Sequence, residues 1–130
     1  MEKKYLAKII AYDNEGLQMI SACCSGAKIK VNDIKFLKKN KVFLISLIRN
    51  NNENQNNKKK INSICKFDFV DDVKSKNINQ KDQKLLLDLI GINYFKRDKN
   101  YEISLIFNNN AYITLFTEII EATLEDQNEI

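Results

Sequence analysis

The sequence has no histidine, no proline and no tryptophan, and only three glycines in 130 residues. Without histidine there is no imidazole base, no histidine metal ligand, and no Ser-His or Cys-His pair. The glycines stand far apart at Gly16, Gly26 and Gly91, so no glycine-rich loop cradles a phosphate. Three cysteines, Cys23, Cys24 and Cys65, make no disulfide framework, and an odd count predicts a reducing compartment. Cys23 and Cys24 are adjacent, whereas zinc ligands and redox dithiols are spaced apart, and helix neighbours point about 100° from each other. They read as small apolar filler. No stretch reaches the run of about 20 apolar residues that a membrane span needs. Met1–Tyr5 offers no apolar core for export. The expectation is a cytoplasmic protein with no metal, no cofactor and no membrane partner.

What is present is ordinary in kind and uneven in placement. The apolar share is 44%, enough for one domain of this length to bury a core without staples. Ile, Lys and Asn are heavily used, as in AT-rich genomes, so a single Lys or Asn carries little information. Net charge is +4, but residues 1–100 hold all 21 basic residues against 11 acids. Residues 101–130 carry Glu102, Glu118, Glu121, Glu125, Asp126 and Glu129 and no base. One reading is a basic face for nucleic acid or anionic lipid. The simpler one pairs the acidic end with basic strands of one fold, because the basic residues are dispersed among acids.

The clearest element is Tyr101–Leu124. Ile103, Leu105 and Phe107, then Ile113, Leu115, Thr117 and Ile119, alternate with their neighbours about the turn Asn108–Asn110. A period of two predicts a hairpin with one buried face, and Asn suits the positive φ of short hairpin loops. Upstream, Lys4–Tyr12 reads as a strand. Asp13 or Asn14 caps a short helix with Leu17, Ile20, Ala22 and Cys24 on its apolar side, stopped at Ser25-Gly26. Ala27–Val31 and Ile34–Lys38 read as short strands around Asn32-Asp33. Lys41–Arg49 is apolar in both parities and predicts a central strand covered on both faces. Asn50–Lys60 predicts a mobile loop at a hairpin tip. Ile61–Val73 reads as one long strand. Gln83–Phe95 fits a helix over its first part or a strand from about Leu87. The acidic residues 125–130 are expected to fray. The fold expected is a single α+β domain, mostly antiparallel β, with one short helix near the N-terminus. The sheet is expected as one curved sheet, two packed sheets, or a partly open, pleckstrin-homology-like barrel lacking that fold's closing helix.

Chemistry-bearing residues are few. Arg49 ends an apolar strand and suggests a pairing with Glu53, Asp68 or Glu121, as a structural ion pair or an anion site. Asp68, Asp71 and Asp72, and Glu118, Glu121, Glu125 and Asp126, form acidic clusters that read as strand-edge charge. Lys28, Lys30, Lys35, Lys38, Lys39, Lys58, Lys59 and Lys60 are the candidates for touching phosphates.

The residues also carry a resemblance. Gly16-Leu17, Ile20-Ser21-Ala22, Ala27, Lys30-Val31, Asp33-Ile34 and Phe43–Arg49 with Glu53 run in order. They are followed by Ile61–Ile78, then Ile119, Glu121-Ala122 and Leu124-Glu125-Asp126. Together these residues resemble the alphaproteobacterial domain-of-unknown-function family 2948 over nearly the whole chain. The chain departs from that pattern at Asn50 and Asn52, in place of an aromatic pair, and at Lys66, in place of a histidine before Phe67-Asp68. The resemblance implies a bacterial cytoplasmic protein and no known activity. The leading functional expectation is a non-catalytic binding or protein-interaction module, with self-association as one form. A small-molecule-binding protein or enzyme using Arg49 with Asp68 or Glu121 comes second, so the question of an enzyme stays open. Weak nucleic-acid binding through scattered lysines comes last.

Overall fold

Two left-handed asparagines fix the expected hairpin: Asn109 and Asn110 take φ of 59° and 57°. The computed structural model of the chain describes residues 7–51 and 59–129. Along the chain run β1 (Lys8–Ala11), α1 (Asn14–Cys24), β2 (Lys28–Lys30), β3 (Ile34–Leu37), β4 (Val42–Asn51) and β5 (Lys59–Phe67). They are followed by β6 (Val70–Lys76), β7 (Leu86–Arg97), β8 (Asn100–Phe107), β9 (Tyr112–Thr117) and β10 (Ala122–Glu129). All pairings among the described residues are antiparallel, in the order β1-β10-β5-β4-β2-β7-β8-β9-β6, with β3 also on β4. The expected α+β class, mostly antiparallel with one helix, is what the chain adopts. The sheet does not close into a barrel.

The hairpin parity holds. Ile103, Leu105 and Phe107 on β8, and Ile113, Leu115 and Thr117 on β9, are buried. The apolar five meet Phe43, Ile45 and Leu47 of β4, Cys65 and Phe67 of β5, and Leu17, Ile20 and Cys24 of α1 in one core. Each large apolar side chain so buried contributes about 1.5–3 kcal/mol. Asp13 caps α1 as expected, its Oδ1 accepting from Gly16 N at 2.8 Å. Ala22, assigned to the apolar side, is exposed instead. The helix lies on β7 where β2 has ended, and Ile92 N of β7 donates to Ser21 Oγ at 2.9 Å.

Five expectations are corrected. The long strand Ile61–Val73 is two strands. The chain turns at Asp68-Phe69, where Phe69 takes φ 59°, so β5 pairs with β4 and β10 while β6 joins β9. The second hairpin strand ends at Thr117, short of Ile119. For Gln83–Phe95 the strand alternative holds, since β7 begins at Leu86 and residues 83–85 are not helical. The outer face of β4 is not covered: Val42, Leu44 and Ile48 are half-buried and Ser46 is exposed. The acidic tail does not fray through Glu129. β10 sits between β1 and β5, its Ala122, Leu124 and Asp126 pointing into the core. The expected loop at 50–60 narrows at both ends, since Asn50, Asn51, Lys59 and Lys60 pair in β4 and β5. Residues 52–58, and with them Glu53 and Lys58, lie outside the described residues.

Candidate functional site

Arg49 is buried, and its partner is Asp126. Arg49 Nε donates to Asp126 Oδ1 at 2.9 Å and its Nη2 to Oδ2 at 2.6 Å. Ser63 Oγ donates to Oδ1 at 2.6 Å and Ala7 N to Oδ2 at 2.8 Å. Asp126 N in turn donates to Ala7 O at 2.9 Å. Parity brings the three side chains together. Arg49, Ser63 and Asp126 take inward positions on the neighbouring strands β4, β5 and β10. The Asp126 side chain is 0% exposed. Burial pushes its carboxyl up, but the donors Arg49, Ser63 and Ala7 more than offset this and hold it below the usual carboxylate range. The hydrogen bond to Asp126 also raises the Arg49 guanidinium. Both carboxylate oxygens already accept two bonds. A forked, desolvated pair of this kind ties β4 to β10 and leaves no carboxylate oxygen of Asp126 directed at a ligand.

Arg49 is not brought to Asp68 or Glu121, the two of its three expected acids that lie among the described residues. Phe43 of β4 stands opposite Phe67, so Asp68 lies roughly 20 Å along the strands from Arg49 at about 3.3 Å per residue. Asp68 pairs with Lys66 at 3.5 Å, and its N donates to Glu121 O at 2.9 Å. Lys28 pairs with Asp88. Lys30, Lys35, Lys38, Lys39 and Lys60 are exposed, spread over β2, β3, the following turn and β5. Cys23 is half-buried, but Cys24 and Cys65 are sealed by the core: burial pushes Cys24 up to about 12 and Cys65 well above its ordinary value.

The open feature is a cleft between β3 and β6. β3 pairs with β4, β6 pairs with β9, and neither pairs with the other. Val70 N donates to Lys41 O at 2.8 Å and ties the strands at one end. Beyond that tie the edges part around a cavity of about 500 Å³. Its inward positions are Ile34 and Phe36 on β3, opposite Ile45 and Phe43, and Val73 and Ser75 on β6, opposite Leu115 and Ile113. Ile78, Gln80 and Gln83 form the far wall. Asn77 Nδ2 donates to Asn110 O at 2.8 Å, Gln80 Nε2 to Ser75 Oγ at 2.7 Å, and Gln83 Nε2 to Gln80 O at 2.7 Å. An apolar floor under amide and hydroxyl groups, at this volume, is the usual make-up of a ligand site. A second hollow, about 520 Å³, lies over Tyr12, Tyr94 and Tyr101, but Asp13, Glu15 and Lys96 give it mixed charge.

Two signals were there to be read and were not. Ala122, Leu124 and Asp126 share one parity, which places Asp126 inward if the strand continues. Ile34, Phe36 and Val73, Ser75 alternate in the same way, but nothing local says that their two strands face each other across a gap.

The family described as "Protein of unknown function (DUF2948)" matches residues 7–130. No curated protein and no solved structure matches the chain.

Proposed function

The chain belongs to the DUF2948 family, whose description carries no activity, and from the geometry we propose a non-catalytic binding module with its ligand site in the cleft between β3 and β6. The carrying observation is a contrast. Among the described residues the buried charged pair Arg49–Asp126 is closed on itself, with both carboxylate oxygens occupied, whereas the apolar cleft is open and rimmed by Asn32, Ser75, Gln80 and Gln83. Apolar surface left open at that depth is favourable to cover. The cysteines Cys23, Cys24 and Cys65 are free thiols, which supports a reducing, cytoplasmic location.

Titration with the apolar dye anilinonaphthalene sulfonate tests the site. Dye fluorescence should rise, with amide shifts concentrated in 31–36, 73–83 and Ile113. Ser75→Trp places an indole over the floor from an exposed strand position and should abolish the rise while leaving the far-ultraviolet dichroism intact. Equal dye binding by this variant, or shifts centred elsewhere, would refute the assignment.

A further inference from the structure

The cleft is bounded by two strand edges, which makes its backbone as informative as its side chains. Among the described residues, β3 has no strand partner on the side away from β4, and β6 has none on the side away from β9. Unpaired edges carry rows of N–H and C=O groups that a further strand can satisfy. Lys35 takes an outward position, opposite Leu44, and still borders the cleft, as a residue does whose main chain forms the rim. The inward positions of the two edges are Ile34, Phe36, Val73 and Ser75. The outward positions are Lys35 and Leu37 on β3, and Asp72, Lys74 and Lys76 on β6, with Lys74 Nζ 5.4 Å from the centre of the Phe116 ring. The acids on this part of β6 are engaged: Asp71 pairs with Lys41 at 3.0 Å, and Asp72 Oδ1 accepts from Val73 N at 2.9 Å.

We propose that the cleft takes an extended peptide segment of a partner protein, added as a strand between β3 and β6, with apolar residues inward and acidic residues outward. This rests on the reading of the cleft as the ligand site. Strand addition supplies affinity through main-chain bonds and specificity through alternate side-chain pockets. Inward side chains of the guest cover Phe36, Phe43, Val73 and Ile113. Its outward side chains stand between Lys35 on one flank and Lys74 and Lys76 on the other, where opposite charges stabilise cross-strand pairs and like charges do the reverse. The edge offered is short, so the segment read is about four to five residues at ~3.3 Å each.

The test uses the full chain and three synthetic, end-blocked hexapeptides. One alternates glutamate and valine, one has the same composition in two blocks, and one alternates lysine and valine. The alternating acidic peptide should shift and protect from hydrogen exchange the amides of 34–37 and 72–76. The other two should bind about tenfold more weakly, since three lysines change sign of interaction between the alternating peptides. The double variant Lys35→Glu/Lys76→Glu, altered only at exposed positions, should reverse the preference towards the lysine peptide. Equal binding of the block peptide, or no protection of these amides at millimolar peptide, overturns the proposal. If the dye still enters the cleft in that case, the ligand-site reading survives and strand addition alone is lost. A dimer that buries these same amides and excludes the peptide also overturns it, by giving the cleft to a second copy.

Discussion

Removing the Arg49 guanidinium should cost the protein a large part of its stability. In Arg49→Met the carboxylate of Asp126, 0% exposed, keeps only Ser63 and Ala7 N as donors. Breaking one side of a buried ion pair typically costs about 3–5 kcal/mol, against a total of about 5–15 kcal/mol for a domain. At this chain length that lowers Tm by about 10–20 °C. The pH dependence identifies the cause. In the native protein Asp126 is held below its ordinary pKa, so its contribution is complete above the unfolded value of about 4. It is lost as pH falls through the folded value. In the variant burial acts without the guanidinium, the folded value rises above the unfolded one, and lowering the pH now stabilises. The difference between the two proteins should therefore shrink from pH 7 to pH 4. Urea unfolding followed by circular dichroism at pH 7, 5.5 and 4 measures it, with the m-value as the check that the unfolded state is unchanged. A loss under about 1 kcal/mol at pH 7, or one independent of pH, refutes the argument. Arg49→Met/Asp126→Leu should recover much of the loss, because an apolar pair removes the stranded charge.

Three further outcomes follow from other parts of the fold. A Cβ built on Gly16 lies 2.9 Å from both Cα and Cβ of Ala11, so Gly16→Ala should destabilise by about 1–3 kcal/mol in urea unfolding, although alanine is the better helix former. Truncation after Leu124 removes Asp126 and the second half of β10's pairing with β5, and should abolish the cooperative transition seen by calorimetry. Cys24 and Cys65 are 0% exposed and their thiols are pushed up by burial; at pH 8 a thiol reagent should modify Cys23 first and reach the other two only in denaturant.

The parts of the fold legible in the sequence are those set by local periodicity. Ile103–Phe107 and Ile113–Thr117 show their inward faces by alternation, Asp13 its cap, and Asn109-Asn110 their turn. The split of Ile61–Val73 was hidden because Phe69 continues the alternation of Cys65 and Phe67 while its backbone turns left-handed. Leu85–Ile90 satisfies helix and strand spacing alike, and the pairing of Leu86–Asp88 with β2 decides between them. The tail misled through composition. Glu125, Asp126 and Glu129 look solvated one by one, yet Asp126 has its base on β4, 77 residues away. Arg49 was visible as a residue in need of an acid. Which acid is a question of strand order, and strand order is long-range. The cleft was not legible for the same reason, since it is formed by edges that do not pair.

The seam stays open for a reason found in register. Lys28 pairs with Ile48 and Ile34 with Ile45, so the chain advances six residues from β2 to β3 while β4 advances three. The 3₁₀ turn Val31–Asp33 absorbs the excess and parts β3 from β7, which leaves β3 facing β6 with no strand between. An edge left bare in this way invites pairing with any chain, and proteins protect such edges with bulges and lysines. Both are here: β6 carries a bulge between Val70 and Asp72, and Lys35, Lys74 and Lys76 flank the gap. Their charge acts against a second copy, whose edge is equally basic, and in favour of an acidic strand. Salt at about 0.15 M shortens the reach of these charges to about 8 Å, and 1 M salt to about 3 Å. Rising salt should therefore weaken an acidic guest and relieve the repulsion between copies at once. A peptide affinity indifferent to salt would mean that the lysines only guard the edge and do not select what joins it.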